Sequence, residues 1–463
     1  MGRLSNVDLV LAMEGVAHIF RAYDIRGVFN VDLTADVMAR IGMAMATYFS
    51  YEHVVGGDIR VSTPILKSAL ISGLLSAGVD VTDIGTVPLG AAMYASKRLN
   101  AAMAYVTASH LPPEWNGVKI GKPGGVMVTS EDVYNIGRLF GSPERLRKVP
   151  YDRVGKCRTY NVLPDYLSFL GEQLKSSGLN IVIDAGNGAT TLVVPRLLRS
   201  AGHRVLCMHC DIDPTFSARG AEPEPEKLID LRRAVKVYGA DFGVAFDGDG
   251  DRVIFTDENG RVISPEQAAV VMLEGGERGD VVANVECSMI LEEYVKSYGG
   301  KVFRVPVGHT FMVNAVSEKN AVLGVESSGH FVVRRNLNMD DGILALIHFA
   351  DSLANIGEKV SKIVPPAYPV LRRKIRVAED IKFKVVERLR GRLTAIYGEV
   401  ETIDGVRVVA DKGWVLIRPS NTEPLIRITV EGSSQEDAEK LLREFYNYVK
   451  SEIKAFESLR GRA

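Results

Sequence analysis

Neither positive nor negative charge is in excess in this chain. Its 463 residues include 56 Lys and Arg against 57 Asp and Glu, so the formal net charge is −1. Proteins that hold nucleic acid or anionic membranes by charge need a cationic excess. The composition therefore predicts no nucleic acid and no membrane as partner, and it leaves room only for local charged pockets.

Long apolar runs are also missing, because no stretch is long enough to cross a bilayer. The segment Val7–Met13 is apolar, but Asp8 interrupts it and no small-residue cleavage pattern follows. We therefore expect a cytoplasmic protein without a signal peptide. Residues 1–17 fit either a short amphipathic helix or a frayed terminus.

Cysteine is scarce, and four residues are too few for a disulfide scaffold at this length. Cys207 and Cys210 form a C-x-x-C pair around His209. The pair suits a metal or redox site, but no second C-x-x-C completes a zinc site. We favour the simpler interpretation, two small apolar side chains on a buried strand.

Nucleotide-binding and esterase fingerprints are absent too: the sequence contains neither G-x-G-x-x-G nor G-x-x-x-x-G-K-[ST], and no G-x-S-x-G elbow. What is present is an ordinary globular composition, with 46% apolar and 24% charged residues. At about 100–200 residues per domain, the length predicts roughly three or four domains.

One unit repeats three times along the chain: an apolar strand, a helix that closes at glycine, and a second apolar strand. Glycine after the last helical turn permits the left-handed conformation that ends a helix. Such alternation is typical of largely parallel sheets covered on both faces. The strand pairs are Val54–Val55 and Val79–Ile84, Ile181–Ile183 and Val205–Met208, and Val281–Val285 and Val302–Val305.

A further apolar strand after each unit runs into a polar loop. The three loops are Thr107–His110, Asp247–Asp251 and Glu326–His330. Ligands of α/β sheets bind beyond the carboxyl ends of the strands. The three loops are therefore expected to form walls of one cleft.

From about residue 369 the pattern changes to short strands between two helices, with a hairpin signal at Asp404–Gly405 between Val400–Ile403 and Val406–Ala410. This predicts a small α+β domain with an antiparallel sheet. Breaks occur at Ser142–Lys156, Glu258–Gly260 and Pro365–Pro369. The predicted fold is thus three similar α/β domains, 1–152, 153–258 and 259–368, followed by an α+β domain, 369–463.

Asp247, Asp249 and Asp251 alternate with glycines after an apolar strand. Carboxylates this close repel one another unless a cation lies between them, and oxygen ligands select Mg²⁺ or Ca²⁺. An EF-hand is the competing interpretation, but Arg252 occupies the sixth position, where that loop needs Gly. The flanks also resemble strands, so we predict a metal loop of another kind.

Ser109 in the first loop is a candidate nucleophile, although a serine before the Pro112–Pro113 turn also has an ordinary structural explanation. An Asn-Gly turn presents Lys119 back towards this loop. A lysine there is usually just exposed. Near a phosphate and a metal it would act as a charge clamp or proton carrier.

The remaining polar loops suit a phosphorylated sugar. Glu326 and Ser328 offer an acceptor and a donor for adjacent hydroxyls, and His330 is a candidate proton carrier. Arg418–Pro424 joins two strands with Arg427 beyond, and guanidinium forks match phosphate. Taken alone, each loop has an ordinary structural explanation as well.

Together these loops resemble the α-D-phosphohexomutase superfamily, most closely its phosphomannomutase/phosphoglucomutase branch. The resemblance covers nearly the whole chain, and the motifs follow in the family's order. The matching segments are Phe20–Gly27 (N-terminal motif), Thr107–Lys119 (phosphoserine loop), Arg219–Leu228 (Pro-Glu-Pro segment), Asp247–Arg252 (magnesium loop), Glu326–His330 (sugar loop) and Arg418–Pro424 (phosphate loop).

The resemblance implies a four-domain, heart-shaped enzyme in which Ser109 carries a phosphoryl group. It implies that Mg²⁺ bridges this group to Asp247, Asp249 and Asp251. Ser109 would phosphorylate a hexose 1-phosphate or 6-phosphate. The bisphosphorylated sugar would turn over and return its other phosphoryl to Ser109, so a hexose 1,6-bisphosphate is the implied activator.

The resemblance also implies roles for residues around these loops. Arg252 would offset charge on the transferring group. His110, Lys119, His330 and Arg26 would complete the catalytic set by moving protons or holding the sugar. The implied substrate-binding residues are Tyr23, His309, Glu326, Ser328, Arg418, Ser420, Asn421, Thr422 and Arg427.

Three residues depart from the family pattern: Leu111 replaces a usual Asn, Val325 a common Gly, and Glu286 a substrate-contacting Lys of bacterial members. The first two bear on loop positioning and pocket width, and the third on sugar preference. We predict mannose or glucose phosphates as substrates. The alternatives are a phosphoglucosamine mutase and, in another class, a catalytically silent sugar-phosphate or metal-binding protein.

Overall fold

Four β-sheets follow one another along the chain in this computed structural model, which describes residues 17–334, 339–420 and 424–460. The first three sheets are mixed and the fourth is antiparallel. The predicted four-domain α/β fold is confirmed. The suggested helix at the amino terminus falls on residues 1–16, outside the described residues.

The first sheet has the strand order β1-β5-β4-β2-β3-β7, with β6 beside β5. Because β7 pairs with β3, the sheet continues past residue 152, where a domain boundary was predicted. The strands are β1 Asp24–Val28, β2 His53–Gly57, β3 Val81–Thr86, β4 Ala102–Val106, β5 Trp115–Lys122, β6 Val126–Met127 and β7 Cys157–Thr159, with helices Ala35–Tyr48, Thr63–Ser76, Leu89–Leu99 and Ser130–Phe140.

The second sheet has the order β12-β11-β10-β8-β9, and the third has β14-β13-β15-β16. The second comprises β8 Asn180–Asp184, β9 Arg204–Met208, β10 Phe242–Phe246, β11 Val253–Thr256 and β12 Val262–Ile263, with helices Leu163–Gln173, Val194–Ser200 and Ile229–Tyr238. The third comprises β13 Val281–Asn284, β14 Val302–Val305, β15 Leu323–Val325 and β16 Phe331–Val333, with helices Pro265–Gly275, Met289–Ser297, His309–Glu318, Gly342–Ile356 and Val360–Ile363.

The three α/β sheets share one four-strand order: β3-β2-β4-β5, β9-β8-β10-β11 and β14-β13-β15-β16. In each, three parallel strands are followed by a strand that returns antiparallel. The polar loops 107–114, 247–252 and 326–330 make these returns. The repeated topology therefore places each loop at the carboxyl end of the third parallel strand.

The fourth sheet runs β17-β20-β19-β18 and is covered by two helices. Its strands are β17 Val370–Arg376, β18 Val406–Ala410, β19 Gly413–Pro419 and β20 Leu425–Gly432, and its helices are Lys382–Tyr397 and Gln435–Arg460. The strand predicted at Val400–Ile403 is wrong, since that segment makes only an isolated bridge between Glu401 and Arg407. Asp404 turns instead towards Arg418 and the Val307 amide, which draws the segment away from strand pairing.

The three α/β domains share one large hydrophobic core, the first domain has a further core of its own, and the fourth domain has a separate one. The shared core runs from Tyr105 through Phe242 to Phe331, all of them fully buried. The separate core of the fourth domain is built around Val415, Ile428 and its two helices. Burial of apolar area is the main driving force of folding, so the first three domains are tied together more strongly than the fourth is to them.

The expectation of two unpaired apolar cysteines on a buried strand is wrong. Cys207 and Cys210 form a disulfide, and both residues are half-buried. Strand β9 lies at the edge of its sheet, where one flank meets no neighbouring strand, which leaves the cysteines accessible to one another and to solvent. Within the described residues, none of the helices combines the length and apolar character that a membrane crossing requires.

Candidate active site

Ser109 lies in the loop between β4 and β5, and the second domain's loop meets it there. Its Oγ donates a hydrogen bond to Asp247 Oδ2 at 2.7 Å, across 138 residues of sequence. Ser109 is 1% exposed and has a left-handed φ of 52°, which a residue other than glycine adopts only when its surroundings hold it. The fold thus places a hydroxyl against the predicted metal loop.

The three aspartates of that loop are all buried, with Asp247 and Asp249 at 0% and Asp251 at 1% exposure. They follow β10 and precede β11, so strands and not EF-hand helices flank the loop. Asp247 Oδ1 accepts from the amides of Gly250 and Arg252, which turns the loop around this carboxylate. Gly250 takes a φ of 84°, the left-handed conformation that glycine allows.

The carboxylates of Asp247, Asp249 and Asp251 form a cage. Lys119 is buried beside it and contacts two of the three carboxylates. Its Nζ lies 3.0 Å from Asp249 Oδ2 and also pairs with Asp251 Oδ2. Burial lowers the pKa of Lys119, but the attraction of Asp249 and Asp251 outweighs it, so the pKa lies above its ordinary value. Lys119 therefore stays cationic and partly neutralises the cage.

The positive charge of Lys119 does not affect the pKa values of the three aspartates equally. Burial, followed by repulsion from the neighbouring aspartates, raises the pKa of Asp247 well above its ordinary value and raises that of Asp249 as well. Burial also raises the pKa of Asp251, but Lys119, His330 and Arg252 together bring it well below its usual range. Lys119 alone therefore does not neutralise the three aspartates.

The donor set fits a hard divalent cation. The oxygen atoms of Asp247, Asp249 and Asp251 lie within 4.8 Å of one another. Among the described residues, no group hydrogen-bonds to Asp249 Oδ1 or Asp251 Oδ1, although both atoms are buried. Buried carboxylate oxygens without partners are costly unless they coordinate an ion. These three residues are therefore the predicted metal ligands that the structure does bring together.

Arg252 connects this loop to the third domain. Its Nε donates to His330 Nε2 at 3.0 Å, and its Nη1 donates to Glu222 Oε1 at 2.8 Å, within the Pro-Glu-Pro segment. Because Nε2 accepts this bond, a neutral His330 carries its proton on Nδ1. That nitrogen lies 3.2 Å from Asp340 Oδ2.

Asp340 lies between two histidines of the predicted site. Its Oδ2 is 3.1 Å from His309 Nδ1 as well as 3.2 Å from His330 Nδ1, and the two rings stack at 6.0 Å. Burial lowers the pKa of His309, but Asp340 more than compensates and raises it. Sequence reasoning missed Asp340, although the pair Asp340–Asp341 at a helix start was a visible signal.

The N-terminal motif places Arg26 and Tyr23 at the cleft. Arg26 donates from Nε to Asp24 Oδ2 at 2.6 Å and from Nη1 to Ala108 O at 3.2 Å, beside Ser109. Tyr23 hydrogen-bonds to Val307 O at 3.3 Å and packs edge-on against Phe311. Burial raises the pKa of Tyr23 to about 12, so it stays a neutral hydroxyl.

His110 lies next to the candidate nucleophile, with Nδ1 3.3 Å from Ser109 Oγ. Burial, with the nearby cations Arg252 and Arg26, lowers the pKa of His110 far below its usual value. The neutral ring is thus a second acceptor for the Ser109 hydroxyl proton, as an alternative to Asp247. It does not add positive charge to the site.

The sugar loop is ordered by its own backbone. The Glu326 amide donates to His330 O at 2.9 Å, and the Gly329 amide donates to Glu326 O at the same distance. Glu326 is 4% exposed. Among the described residues, no group hydrogen-bonds to the buried Oγ of Ser328. This loop therefore holds an acidic acceptor and an uncommitted hydroxyl next to His330, the predicted catalytic histidine.

Arg418 projects from the fourth domain, and carboxylates hold it. Its Nη1 lies 3.2 Å from Glu286 Oε1 and its Nη2 lies 3.0 Å from Asp404 Oδ2. Arg427 lies directly opposite Arg418 in the register of β19 and β20, so both side chains leave the same face of the sheet. Ser420 is buried at the end of β19. The predicted site residues Asn421 and Thr422 lie outside the described residues.

Each of the three departures from the family pattern has a structural account. Leu111 contributes its carbonyl to Arg60 Nη2 at 2.7 Å, a contact that does not depend on its side chain. Val325 is fully buried, and its side chain packs into the shared hydrophobic core. Glu286, the third departure, is the partner of Arg418.

Comparison with known proteins agrees with this geometry. The phosphoglucomutase/phosphomannomutase alpha/beta/alpha domains I, II and III match residues 17–145, 164–260 and 267–369, and the family's C-terminal domain matches 374–447. The chain is 37% identical over 451 residues to a probable phosphoglucosamine mutase of Pyrococcus horikoshii, across 95% of this chain and 99% of that protein. It is 35% identical over 444 residues to a phosphoglucomutase/phosphomannomutase of Thermococcus kodakarensis, across 92% and 96%.

A solved structure shows the same fold over the same length. The crystal structure of a phosphoglucomutase/phosphomannomutase family protein from Burkholderia thailandensis superposes with a TM-score of 0.86 at 28% identity, and the match covers 94% of this chain and 98% of that one. Fold and site together define a sugar-phosphate mutase, an isomerase that transfers phosphate within its substrate. The chain belongs to the phosphoglucomutase/phosphomannomutase family of the α-D-phosphohexomutase superfamily.

Proposed function

We propose that this enzyme interconverts hexose 1-phosphate and hexose 6-phosphate, with mannose or glucose as the sugar, through a phosphorylated Ser109. The observation that supports it best is the 2.7 Å hydrogen bond between Ser109 Oγ and Asp247 Oδ2. It places a hydroxyl from one domain within a carboxylate cage from another. Such a site suits a phosphoryl group only if a cation compensates the charge.

Asp247, Asp249 and Asp251 would hold Mg²⁺, since buried carboxylate oxygens are its preferred ligands and Asp249 Oδ1 and Asp251 Oδ1 have no hydrogen-bond partner among the described residues. When bound, the ion neutralises charge on the phosphoryl group at Ser109. Lys119 already lies within the cage and supplies a fixed positive charge beside the same group. Together, the bound ion and Lys119 would prepare the site for a dianionic group that the three aspartates alone would repel.

Arg252 and His330 form the second wall of the reaction chamber. Arg252 offers a guanidinium to the transferring phosphoryl group. Once Arg252 turns from His330 Nε2 to the phosphoryl group, that nitrogen would take the proton from an attacking sugar hydroxyl, while Nδ1 faces Asp340. Glu326 and Ser328 would bind the neighbouring hydroxyls.

The phosphate that does not react would bind Arg418 and Ser420. Arg418 already accommodates two carboxylates, Glu286 and Asp404, at 3.2 and 3.0 Å. A phosphate offers the same anionic oxygens in bidentate geometry, so it would replace at least one of them. A hexose 1,6-bisphosphate bound between Ser109 and Arg418 would be the intermediate and, when added, the activator.

A phosphoglucosamine mutase is the second candidate. The Pyrococcus relative is named a probable phosphoglucosamine mutase. In this chain Glu286 follows β13, the neighbour of β15, whose end leads into Glu326. Once Arg418 turns to a phosphate, the Glu286 carboxylate would be available to an ammonium group at C2 of the sugar. The catalytic residues would be the same for either substrate.

Two measurements test these proposals. Incubation with glucose 1,6-bisphosphate should add one phosphoryl group to the intact mass of the wild type and none to Ser109→Ala, while the nearby Ser62→Ala serves as matched control. A wild type that gains no phosphoryl would favour the catalytically silent alternative.

Parallel assays with glucose, mannose and glucosamine 1-phosphates then separate the substrate classes. Turnover of glucose or mannose phosphate supports the first proposal. Turnover of glucosamine 1-phosphate alone would replace it with the second.

A further inference from the structure

Arg60 is a fully buried arginine that the family resemblance did not single out. It lies just beyond β2, at the same sheet edge as the phosphoserine loop that follows β4. Its side chain is 0% exposed and pairs with Asp58, with Nε 3.0 Å from Oδ2. A buried ion pair of this kind is costly to desolvate, so its further contacts indicate what it is for.

All five N–H donors of the Arg60 guanidinium have an acceptor. Besides Nε, which binds Asp58, Nη1 donates to Pro112 O at 2.6 Å and Trp115 O at 3.1 Å, and Nη2 donates to Ser109 O at 2.8 Å and Leu111 O at 2.7 Å. Four of the five acceptors are carbonyls of one loop. Arg60 thus binds the backbone of the phosphoserine loop from beneath and touches none of its side-chain chemistry.

This contact stabilises an unfavourable backbone conformation. Ser109 has a φ of 52°, and two groups hold its peptide: Thr107 Oγ1 accepts from its amide at 2.8 Å, and Arg60 binds its carbonyl. Thr107 Oγ1 also lies 2.8 Å from Asp58 Oδ2, so both holding groups rest on the same carboxylate. The direction of Ser109 Oγ depends on this frame.

The frame also reaches the metal loop. The Arg60 guanidinium lies 5.0 Å from the ring centroid of Phe216 in the second domain. A β-carbon on Gly248 would come within 3.1 Å of that ring and 2.7 Å of Ser109 O. Arg60, Phe216 and Gly248 thus hold the phosphoserine loop and the metal loop in contact.

We propose that Arg60 is a positioning residue for phosphoryl transfer: its guanidinium fixes the backbone of the phosphoserine loop so that Ser109 Oγ stays on the carboxylate cage. This inference rests on the proposed function. It concerns the rate of transfer and not sugar recognition, because Arg60 is buried behind the loop. Lysine cannot replace it, since an ammonium has three donors against five acceptors.

The test compares wild type, Arg60→Lys and Arg60→Ala by steady-state kinetics and by the rate at which Ser109 gains a phosphoryl from glucose 1,6-bisphosphate. Displacing a reacting group by about an ångström costs about 100-fold in rate. We expect kcat and the phosphorylation rate to fall by about tenfold in Arg60→Lys and about 100-fold in Arg60→Ala, with KM within about twofold of wild type. A folded Arg60→Lys with wild-type kcat would overturn the inference.

Chemical rescue separates positioning from loss of stability. Guanidinium ions, added below the onset of unfolding, should restore part of the kcat of Arg60→Ala, while sodium chloride at equal concentration should not. Arg407→Ala is the matched control, because Arg407 is also buried and paired with an acid, Glu401, but lies in the fourth domain. Equal rescue of both variants, or of neither, would contradict the inference; if Arg60→Ala does not fold, the Arg60→Lys kinetics decide.

The wild-type measurement distinguishes a failure of the proposed function from a failure of this inference. If Ser109 of the wild type gains no phosphoryl, the proposed function fails and takes this inference with it. If the wild type is phosphorylated and the Arg60 variants react at its rate, only the inference fails.

Discussion

The two ends of the cleft are built differently. At the phosphoserine end, Ser109, Lys119 and the aspartates are nearly all buried, and hydrogen bonds between the first two domains fix them. The opposite end, which we call the clamp end, is formed by Arg418 and its partners Glu286 and Asp404. Their side chains are 13%, 20% and 21% exposed, respectively. The first end belongs to domains that share one core, and the second extends from a domain with its own.

On the proposed function, the phosphoserine end would carry out phosphoryl transfer and the clamp end would bind the sugar phosphate. Transfer of a phosphoryl group needs reacting atoms held in place, and the phosphoserine end offers that rigidity. A bisphosphorylated sugar that turns over must release and rebind its phosphate, and the clamp end holds its arginine only through exchangeable, partly exposed ion pairs. Substitutions at the two ends should therefore act on different kinetic constants.

The largest effect is expected from Asp249→Asn. The substitution keeps the shape but removes one of the charges that would hold Mg²⁺ beside Ser109, so kcat should fall by about 1,000-fold with KM little changed. Steady-state kinetics at saturating Mg²⁺ measure this. Asp404→Asn, the same exchange at the clamp end, should change kcat by less than about threefold. Comparable losses of kcat in the two variants would remove the distinction between the ends.

Asp341→Asn probes the rigid end through stability. Asp341 caps the helix Gly342–Ile356, whose first amide donates to Gly250 O of the metal loop at 3.1 Å. Burial raises the pKa of Asp341 to about 6, above its ordinary 3.8. A raised carboxyl pKa favours the folded state while the group is protonated, and this contribution is lost as pH rises through about 6.

The wild type should therefore lose about 3 kcal/mol of unfolding free energy relative to Asp341→Asn between pH 4 and pH 7. Urea unfolding of both proteins across this range measures the difference. Tyr166→Phe is the companion variant, since it removes the hydroxyl that donates to Asp341 Oδ2 at 2.6 Å and should shift the window to higher pH. A difference that is constant with pH would contradict the assignment.

Arg418→Gln tests the clamp end directly. On the proposed function it removes a charged donor that would bind the non-reacting phosphate in bidentate geometry, and about 2 kcal/mol of lost binding corresponds to a KM about 30-fold higher. The rate of phosphoryl uptake per bound substrate should change much less. Arg372→Gln, on an exposed position of the same domain, is the control and should leave both constants unchanged. A loss confined to kcat would assign Arg418 to the chemistry instead.

The smallest effect is expected from Glu286→Gln. The Glu286–Arg418 pair is partly exposed and contributes at most about 1 kcal/mol, so freeing Arg418 should lower KM for glucose 1-phosphate by about twofold to threefold. If Glu286 binds an ammonium group, the same variant should lose activity towards glucosamine 1-phosphate. Equal changes for both sugars would indicate that Glu286 acts on Arg418 alone.

Much of this structure was predictable because it is local. The repeated strand–helix–strand units and the alternating aspartates are short patterns with a strong periodic signal. The missing strand at Val400–Ile403 was not predictable, since strand pairing depends on neighbours in space. The disulfide between Cys207 and Cys210 spans only three positions, but the sequence pattern did not distinguish an edge strand from a buried one. Arg60 was reachable in principle, because Asp58–Arg60 follows a parallel strand at the edge where the site was expected.

The sequence by itself determined the class of fold, the order of the four domains and the functional groups available in each loop, because residue type and periodicity act over a few residues. Only the tertiary structure decided which side chains meet. It placed Ser109 on Asp247, Asp340 between His309 and His330, and Arg418 between two carboxylates. The residues in these contacts lie between 10 positions (His330 and Asp340) and 138 positions (Ser109 and Asp247) apart along the chain. The packing of the domains brings the most distant of them together.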